Sequence, residues 1–171
     1  GRRCVPRACT PGEWHPSRGA ALLYRRVGPA RRALALPVSG QPDMKGRWTV
    51  TLGHPAKWLS AANGAEVERT VKGDRSLVKF AETQPLPTYL VAFICGDFKM
   101  ETAMRNGRTF RMFHRENDAT KVTRNKDAIF DLHARALDYL ERYTSLPYAF
   151  AKFAFLLFPP FHFVGLVHAG M

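Results

Sequence analysis

The order of polar and apolar positions changes character along the chain. Arg47-Trp48-Thr49-Val50-Thr51-Leu52 alternates and is rich in β-branched residues, which predicts a strand. His54-Pro55 breaks it, and Trp58-Leu59 resumes an extended run. Asn63-Gly64 signals a turn into a second strand through Val67, Arg69 and Val71. Lys72-Gly73-Asp74-Arg75 is another turn, followed by a short strand over 78–82. Pro85 and Pro87 mark an irregular stretch. Residues 89–94 are continuously apolar, the pattern of a strand buried on both faces. Arg108-Thr109-Phe110-Arg111-Met112-Phe113 alternates again. Short strands with frequent turns predict an antiparallel sandwich.

Near residue 105 the period switches from 2 to 3.6, which marks a candidate domain boundary. Residues 118–143 lack Gly and Pro, and Val122, Ile129, Leu132, Ala136, Leu137 and Leu140 recur at helical spacing. Asp118 is the expected N-cap, and Pro147 lies just past the end. Phe153, Phe155 and Leu157 then alternate as one more strand before Pro159-Pro160. Residues 146–167 are apolar enough to raise the question of a membrane span. Lys152, His162 and the adjacent prolines inside the run favour a buried strand followed by a loop.

Residues 1–39 differ from the rest. Five prolines interrupt them, and they show neither strand alternation nor a helical stripe. Eight arginines against Glu13 give this segment +7 of the net charge of +12. The basic balance is therefore local, and the body of the chain lends little support to nucleic-acid binding. A non-enzymatic module that uses the basic arm on nucleic acid or an acidic partner is the competing reading. With 171 residues, 46% of them hydrophobic, the chain is neither disordered overall nor low-complexity. Cys4, Cys9 and Cys95 are too few and too scattered for a disulfide framework. No signal-peptide pattern is present, which favours the cytoplasm.

Few residues suggest chemistry by themselves. None of the six histidines stands four from another on a helix, so there is no H-E-x-x-H zinc motif. His162 with His168, and Cys4 and Cys9 with His15, are incomplete ligand sets. Cys95 beside an apolar strand reads as core. Glu116 and Asp118 flank the helix start, where carboxylates favour the dipole. No nucleophile elbow, phosphate-binding loop or dinucleotide fingerprint appears.

Several runs, taken in order, resemble the aminopeptidase N-like zinc metallopeptidases, a family that includes leukotriene-hydrolase-like enzymes. Gln41-Pro42-Asp43-Met44-Lys45 resembles the family's Q-P-D-[LM]-K run. Pro55-Ala56-Lys57-Trp58 through Ala62-Asn63-Gly64 is similar to its P-x-x-W…x-N-G stretch. Phe80-Ala81-Glu82-Thr83-Gln84-Pro85-Leu86-Pro87-Thr88-Tyr89-Leu90-Val91-Ala92-Phe93 follows F-x-x-T-x-P-x-x-T-Y-L-x-A-F. The helix from Asp118, with Leu146-Pro147-Tyr148-Ala149-Phe150-Ala151-Lys152-Phe153, looks like the first helix and strand of the catalytic domain. The resemblance covers roughly residues 40–171.

That resemblance implies an α+β fragment. Residues 40–104 would be part of an antiparallel N-terminal β-sandwich, and 105–171 the start of a thermolysin-like catalytic domain. It implies hydrolysis of N-terminal residues from peptides, with zinc held by two His and a Glu and a further Glu as general base. The zinc motif falls downstream in the family, so this chain alone is expected to hold no zinc, to have no catalytic residue and to be inactive. Neither nucleic acid nor membrane is expected as a partner. The family's G-x-M-E-[NH] loop, whose Glu grips the substrate amine, aligns with Val164-Gly165-Leu166-Val167-His168. Gly165 and His168 fit, Leu166 replaces Met mildly, and Val167 replaces the Glu and accepts no hydrogen bond. A degenerate relative that binds peptides without cutting them is a further reading. In residues 1–39 the resemblance places an aromatic and acidic strand, whose amine-binding Gln falls at Arg26. Spacing is kept while the chemistry is scrambled, as out-of-frame translation would produce; a divergent N-terminus is the alternative.

Overall fold

The computed structural model describes the backbone of residues 22–26 and all atoms of 43–150, 152–157 and 169–170. These residues fall into two compact units that divide between Asp97 and Phe98, with Ala169 in the first and Gly170 in the second. The expected boundary near 105 lies further along. Residues 99–105 belong with the second unit because their hydrogen bonds go to the strand that follows them. Most strands pair antiparallel, and the one α-helix among the described residues completes an α+β architecture.

The first unit holds two three-stranded sheets. In one, β3 (Thr51–Pro55) and β5 (Glu66–Lys72) flank β6 (Arg75–Phe80). In the other, β1 (Leu22–Arg26) and β4 (Leu59–Ala62) flank β8 (Ala92–Gly96). A two-residue ladder joins β2 (Lys45–Gly46) to β7 (Leu86–Pro87). The strict alternation of β6 points Ser76, Val78 and Phe80 inward and leaves 75, 77 and 79 outside. Val78 and Phe80 share a core with Ala62, Val50, Leu52 and Phe93, so the faces of both sheets meet in one sandwich core.

Several sequence expectations shift by a few residues. Trp48 and Val50 do bond across, to Thr83 and Phe80 respectively, but regular strand starts only at Thr51. It then runs through His54-Pro55 instead of breaking there. β3 is an edge strand, and Pro55 ends it where its missing N–H costs no ladder bond. The strand expected over 78–82 spans 75–80, directly after the turn at Gly73, whose φ is +59°. The continuous strand expected over 89–94 is instead a short 3-10 turn, Thr88–Leu90, followed by β8. Pro87 enters that turn with extended backbone, and the Val91 N–H closes it on Thr88. Ala92, Ile94 and Cys95 are buried, so β8 is covered on both faces as its apolar run requires. β1 stands where residue patterning predicted no regular element and the resemblance places a strand; it pairs antiparallel with β8.

The second unit is a three-stranded sheet with one helix. β10 (Arg108–His114) lies between β9 (Lys99–Arg105), antiparallel, and β11 (Phe153–Leu156), parallel. The sequence pattern predicted β10 and β11 but not β9, whose run Lys-Met-Glu-Thr-Ala-Met-Arg has little β propensity. Its signal lay in the turn: Asn106 and Gly107 both have positive φ (51° and 74°), as a two-residue hairpin requires. α1 (Ala119–Thr144) is capped by Asp118, whose carboxylate accepts from the N–H groups of Thr120 and Lys121. Phe130, Ala134 and Leu137 bury against Phe110 and Met112. Of the apolar positions named from spacing, Leu137 is buried, whereas Leu132 and Leu140 are 58% and 53% exposed. The sheet lies about one residue around the helix from the stripe read off the sequence. Phe130 and Ala134 supply the contact that Leu132, Ala136 and Leu140 were expected to make.

Candidate functional site

The residues that resemblance singles out, Val164, Gly165, Leu166, Val167 and His168, lie outside the described residues, as do Cys4, Cys9, His15 and His162. The side chain of Arg26 is likewise not described. Ala169 and Gly170, the two residues after the 164–168 stretch, are described, and each unit contributes one polar side chain that holds one of them.

In the first unit that side chain is Asn63, at the end of β4. Its position follows from local constraint. A Cβ on Gly64 would sit 2.1 Å from the carbonyl oxygen of Ala81, so only glycine lets the chain pass there. The Ala81 N–H also donates to Ala65 at 2.7 Å, fixing this crossing. The Asn63 carboxamide, 7% exposed, then accepts from the Ala92 N–H at 2.7 Å and donates to Leu90 at 3.0 Å. It thereby adds a rung beyond Ala62↔Phe93, the last backbone pair of β4 with β8. Its second N–H donates to the carbonyl of Ala169 at 2.8 Å, across 106 residues of chain. Both donors and the acceptor oxygen are used.

In the second unit Lys152 donates from Nζ to the carbonyl of Gly170 at 2.7 Å. Burial, and secondarily the charge of Arg111, push its ammonium down to about 8. Tyr148 donates from its hydroxyl to the Lys152 carbonyl at 3.1 Å, and burial raises its phenol to about 12. Glu141 accepts both Arg108 guanidinium bonds at 2.8 Å and the Tyr148 N–H. The Arg108 bonds, then the Tyr148 N–H, hold its carboxyl below the usual range. Sequence reading treated Asn63 only as a turn residue and Lys152 only as a charge interrupting an apolar run. The available signal was the second one: a lysine inside an apolar stretch needs an acceptor for its head group.

The remaining candidates have structural roles. His54 is 2% exposed, and its Nδ1 lies 2.9 Å from the Pro55 carbonyl, so Nδ1 carries the proton. Nε2 therefore accepts from the Ser60 hydroxyl at 3.0 Å. The order serine, histidine, carbonyl orients a nucleophile in some enzymes, but Ser60 is 5% exposed and within the fold. His133 stacks on Phe155 with ring centroids 4.1 Å apart and bonds to the Ile129 carbonyl. Glu116 accepts the N–H groups of Asn117 and Asp118, and the Asp118 bond chiefly lowers its carboxyl. With Asp118 as N-cap, both carboxylates serve the helix start as expected. Cys95 is buried in β8. Among the described residues no group of three His, Cys, Asp or Glu side chains is placed to hold a metal ion. No helix among them is long and apolar enough to cross a membrane.

Comparison with known proteins bears on the whole arrangement. Residues 28–90 match the family model of the peptidase M1 N-terminal domain. The chain is 29% identical over 151 residues to the probable M1 family aminopeptidase 1 of Encephalitozoon cuniculi, covering 80% of this chain and 17% of that protein. It is 27% identical over 143 residues to aminopeptidase M1 of Arabidopsis thaliana, covering 82% and 16%. It is 33% identical over 107 residues to aminopeptidase N of Haemonchus contortus, covering 61% and 11%. The chain thus spans less than a fifth of the length of these relatives. The ordered motifs, the β-rich first unit and these matches all point the same way, to a likeness with the aminopeptidase N-like M1 family.

Proposed function

We propose that this chain is part of a zinc aminopeptidase that removes residues from the N-termini of peptides. The first unit, up to Asp97, belongs to its N-terminal β domain, and the stretch from Phe98 opens its catalytic domain. The observation that supports this most is the extent of the matches. Proteins named as aminopeptidases align with 80% and 82% of the chain, well past the end of the matched N-terminal domain at residue 90.

Zinc does not fit the described residues. His54 has both ring nitrogens engaged, and no three potential ligands come together. In this reading the metal ligands and general base lie in polypeptide outside this stretch. The part played here is substrate handling. Residues 164–168 occupy the place of the loop that grips the substrate amine, and Val167 stands where a carboxylate would accept from it.

The purified chain should release no amino acid from aminoacyl-anilides, with or without added zinc. Joined in frame to the H-E-x-x-H-bearing remainder of an M1 relative, it should show weak zinc-dependent release. Val167→Glu in that joined protein should raise release at least tenfold, since a charge-assisted hydrogen bond contributes about 1.5–3 kcal/mol. Release by the chain alone, or none from the joined protein and its Val167→Glu variant, would overturn the proposal.

A further inference from the structure

We propose that the outer face of α1 is a docking surface, and that its occupant is an acid-bearing amphipathic helix from the polypeptide beyond this stretch in the intact protein. α1 carries two apolar faces. At about 100° per residue, Leu132, Ala136, Tyr139 and Tyr143 fall within about 60° of one another, nearly opposite the buried Phe130, Ala134 and Leu137. All four are exposed, as is Leu140 at the edge of the same face. Tyr143 is 76% exposed, and its ring stacks on that of Tyr139 with centroids 5.9 Å apart. A helix that only covers a sheet presents polar residues on its far side, so a second apolar stripe of about three turns calls for a second neighbour.

Charge identifies that neighbour. The four acids of α1 all serve its sheet-facing side: Asp127 and Asp131 bond Arg105, Asp138 bonds Asn106 and Glu141 bonds Arg108. Lys121 and Lys126 pair with Glu116 and Glu101. Arg124, Arg135 and Arg142 are left along one edge of the outer face, all exposed, and among the described residues no carboxylate pairs with them. A second copy of α1 fits poorly. Packed antiparallel, it sets this arginine row against itself; packed parallel, it sets the row against an edge without an acid. A helix with apolar residues beside a row of carboxylates satisfies both the stripe and the arginines. The source of that helix rests on the function proposed above, in which this stretch is less than a fifth of a longer protein. The surface itself rests on the geometry alone.

Hydroxyl-radical footprinting of Leu132, Tyr139 and Tyr143 tests this, with Phe130 as the check that α1 stays seated. All three should react readily in the chain alone and at least tenfold more slowly in the joined protein described above. Arg135→Glu with Arg142→Glu in the joined protein should restore most of the reactivity while Phe130 stays protected. A synthetic amphipathic peptide with leucines on one face and glutamates along its edge should protect the same residues of the chain alone; its counterpart with lysines for glutamates should not. Equal reactivity in the chain and the joined protein would overturn the proposal, as would protection that survives the charge reversal. Slow reaction in the chain alone that quickens on dilution would assign the face to a second copy instead. Should Phe130 react in the joined protein, the peptides decide, and equal effects from both would overturn the surface. Zinc-dependent release is measured on the same joined sample. Release with an unprotected face sinks this inference alone, and protection without release sinks only the proposed function.

Discussion

The two units solve the same problem with different interactions. Among the described residues, six of the seven buried polar side chains lie in the first unit: His54, Ser60, Asn63, Ser76, Thr83 and Thr88. Two of them bond to partners distant in sequence, Thr83 with Trp48 and Asn63 with Leu90 and Ala92, and His54 and Ser60 bond each other. The second unit buries His114 and otherwise an apolar layer of Phe110, Met112, Phe130 and Leu137. Its polar connections run across the surface, where Arg105 pairs with Asp127 and Asp131, Arg108 with Glu141, and Lys126 with Glu101. A sandwich of short strands has irregular crossings whose backbone groups need side-chain partners. A helix satisfies its own backbone, so it needs only an apolar face and charges that hold its register. The first unit therefore gains specificity from buried amides and hydroxyls, and the second gains stability from aromatic burial. The exposed ion pairs contribute little energy each.

That contrast can be broken most severely in the second unit. Phe130→Ala should cost about 3–5 kcal/mol by emptying the space beneath α1, read as lost amide protection in α1 and β10 while β6 keeps its own. Equal loss in both units would show one shared cooperative core. In the first unit, Gly64→Ala should cost about 3 kcal/mol, because the new methyl meets backbone that no rotamer change can move. Chemical denaturation measures it, and a neutral substitution would mean that the crossing is loose.

Lys152 sharpens the comparison through pH. Its folded ammonium titrates near 8, below the 10.5 of the open chain, so between these values the unfolded state binds more protons. Stability should be lowest below pH 8 and rise by about 2 kcal/mol toward pH 10. Tyr148, raised to about 12, opposes the trend above pH 10. Lys152→Met should flatten the rise; a wild-type profile flat from pH 7 to 10 would show the ammonium to be solvated. The smallest expected effect is Asp118→Ala, about 1 kcal/mol from the lost cap. Helicity by circular dichroism on heating should register it, with β-sheet melting unchanged.

Much of this was legible from residues alone, for a physical reason. α1 was bounded to within a residue because Asp118, a Gly- and Pro-free run and Pro147 act through the backbone next to them. β10 and β11 declared themselves by alternation. β9 did not, because its strand state comes from pairing across Asn106-Gly107 and not from its own composition. The family, likewise, was carried by short ordered motifs, each a local string.

What only the tertiary structure decided is which neighbour each side chain meets. Spacing defined an apolar stripe on α1, but the sheet took only part of it, Ile129 and Leu137, added Phe130 and Ala134, and left Leu132 and Leu140 in water. The sequence marked Asn63 as a turn residue. Its three hydrogen bonds, one to a residue 106 positions on, exist only after β4 and β8 have paired and a distant segment has joined them. Local propensity is a property of a few consecutive residues. A buried hydrogen bond is a property of two segments that the chain alone does not place side by side.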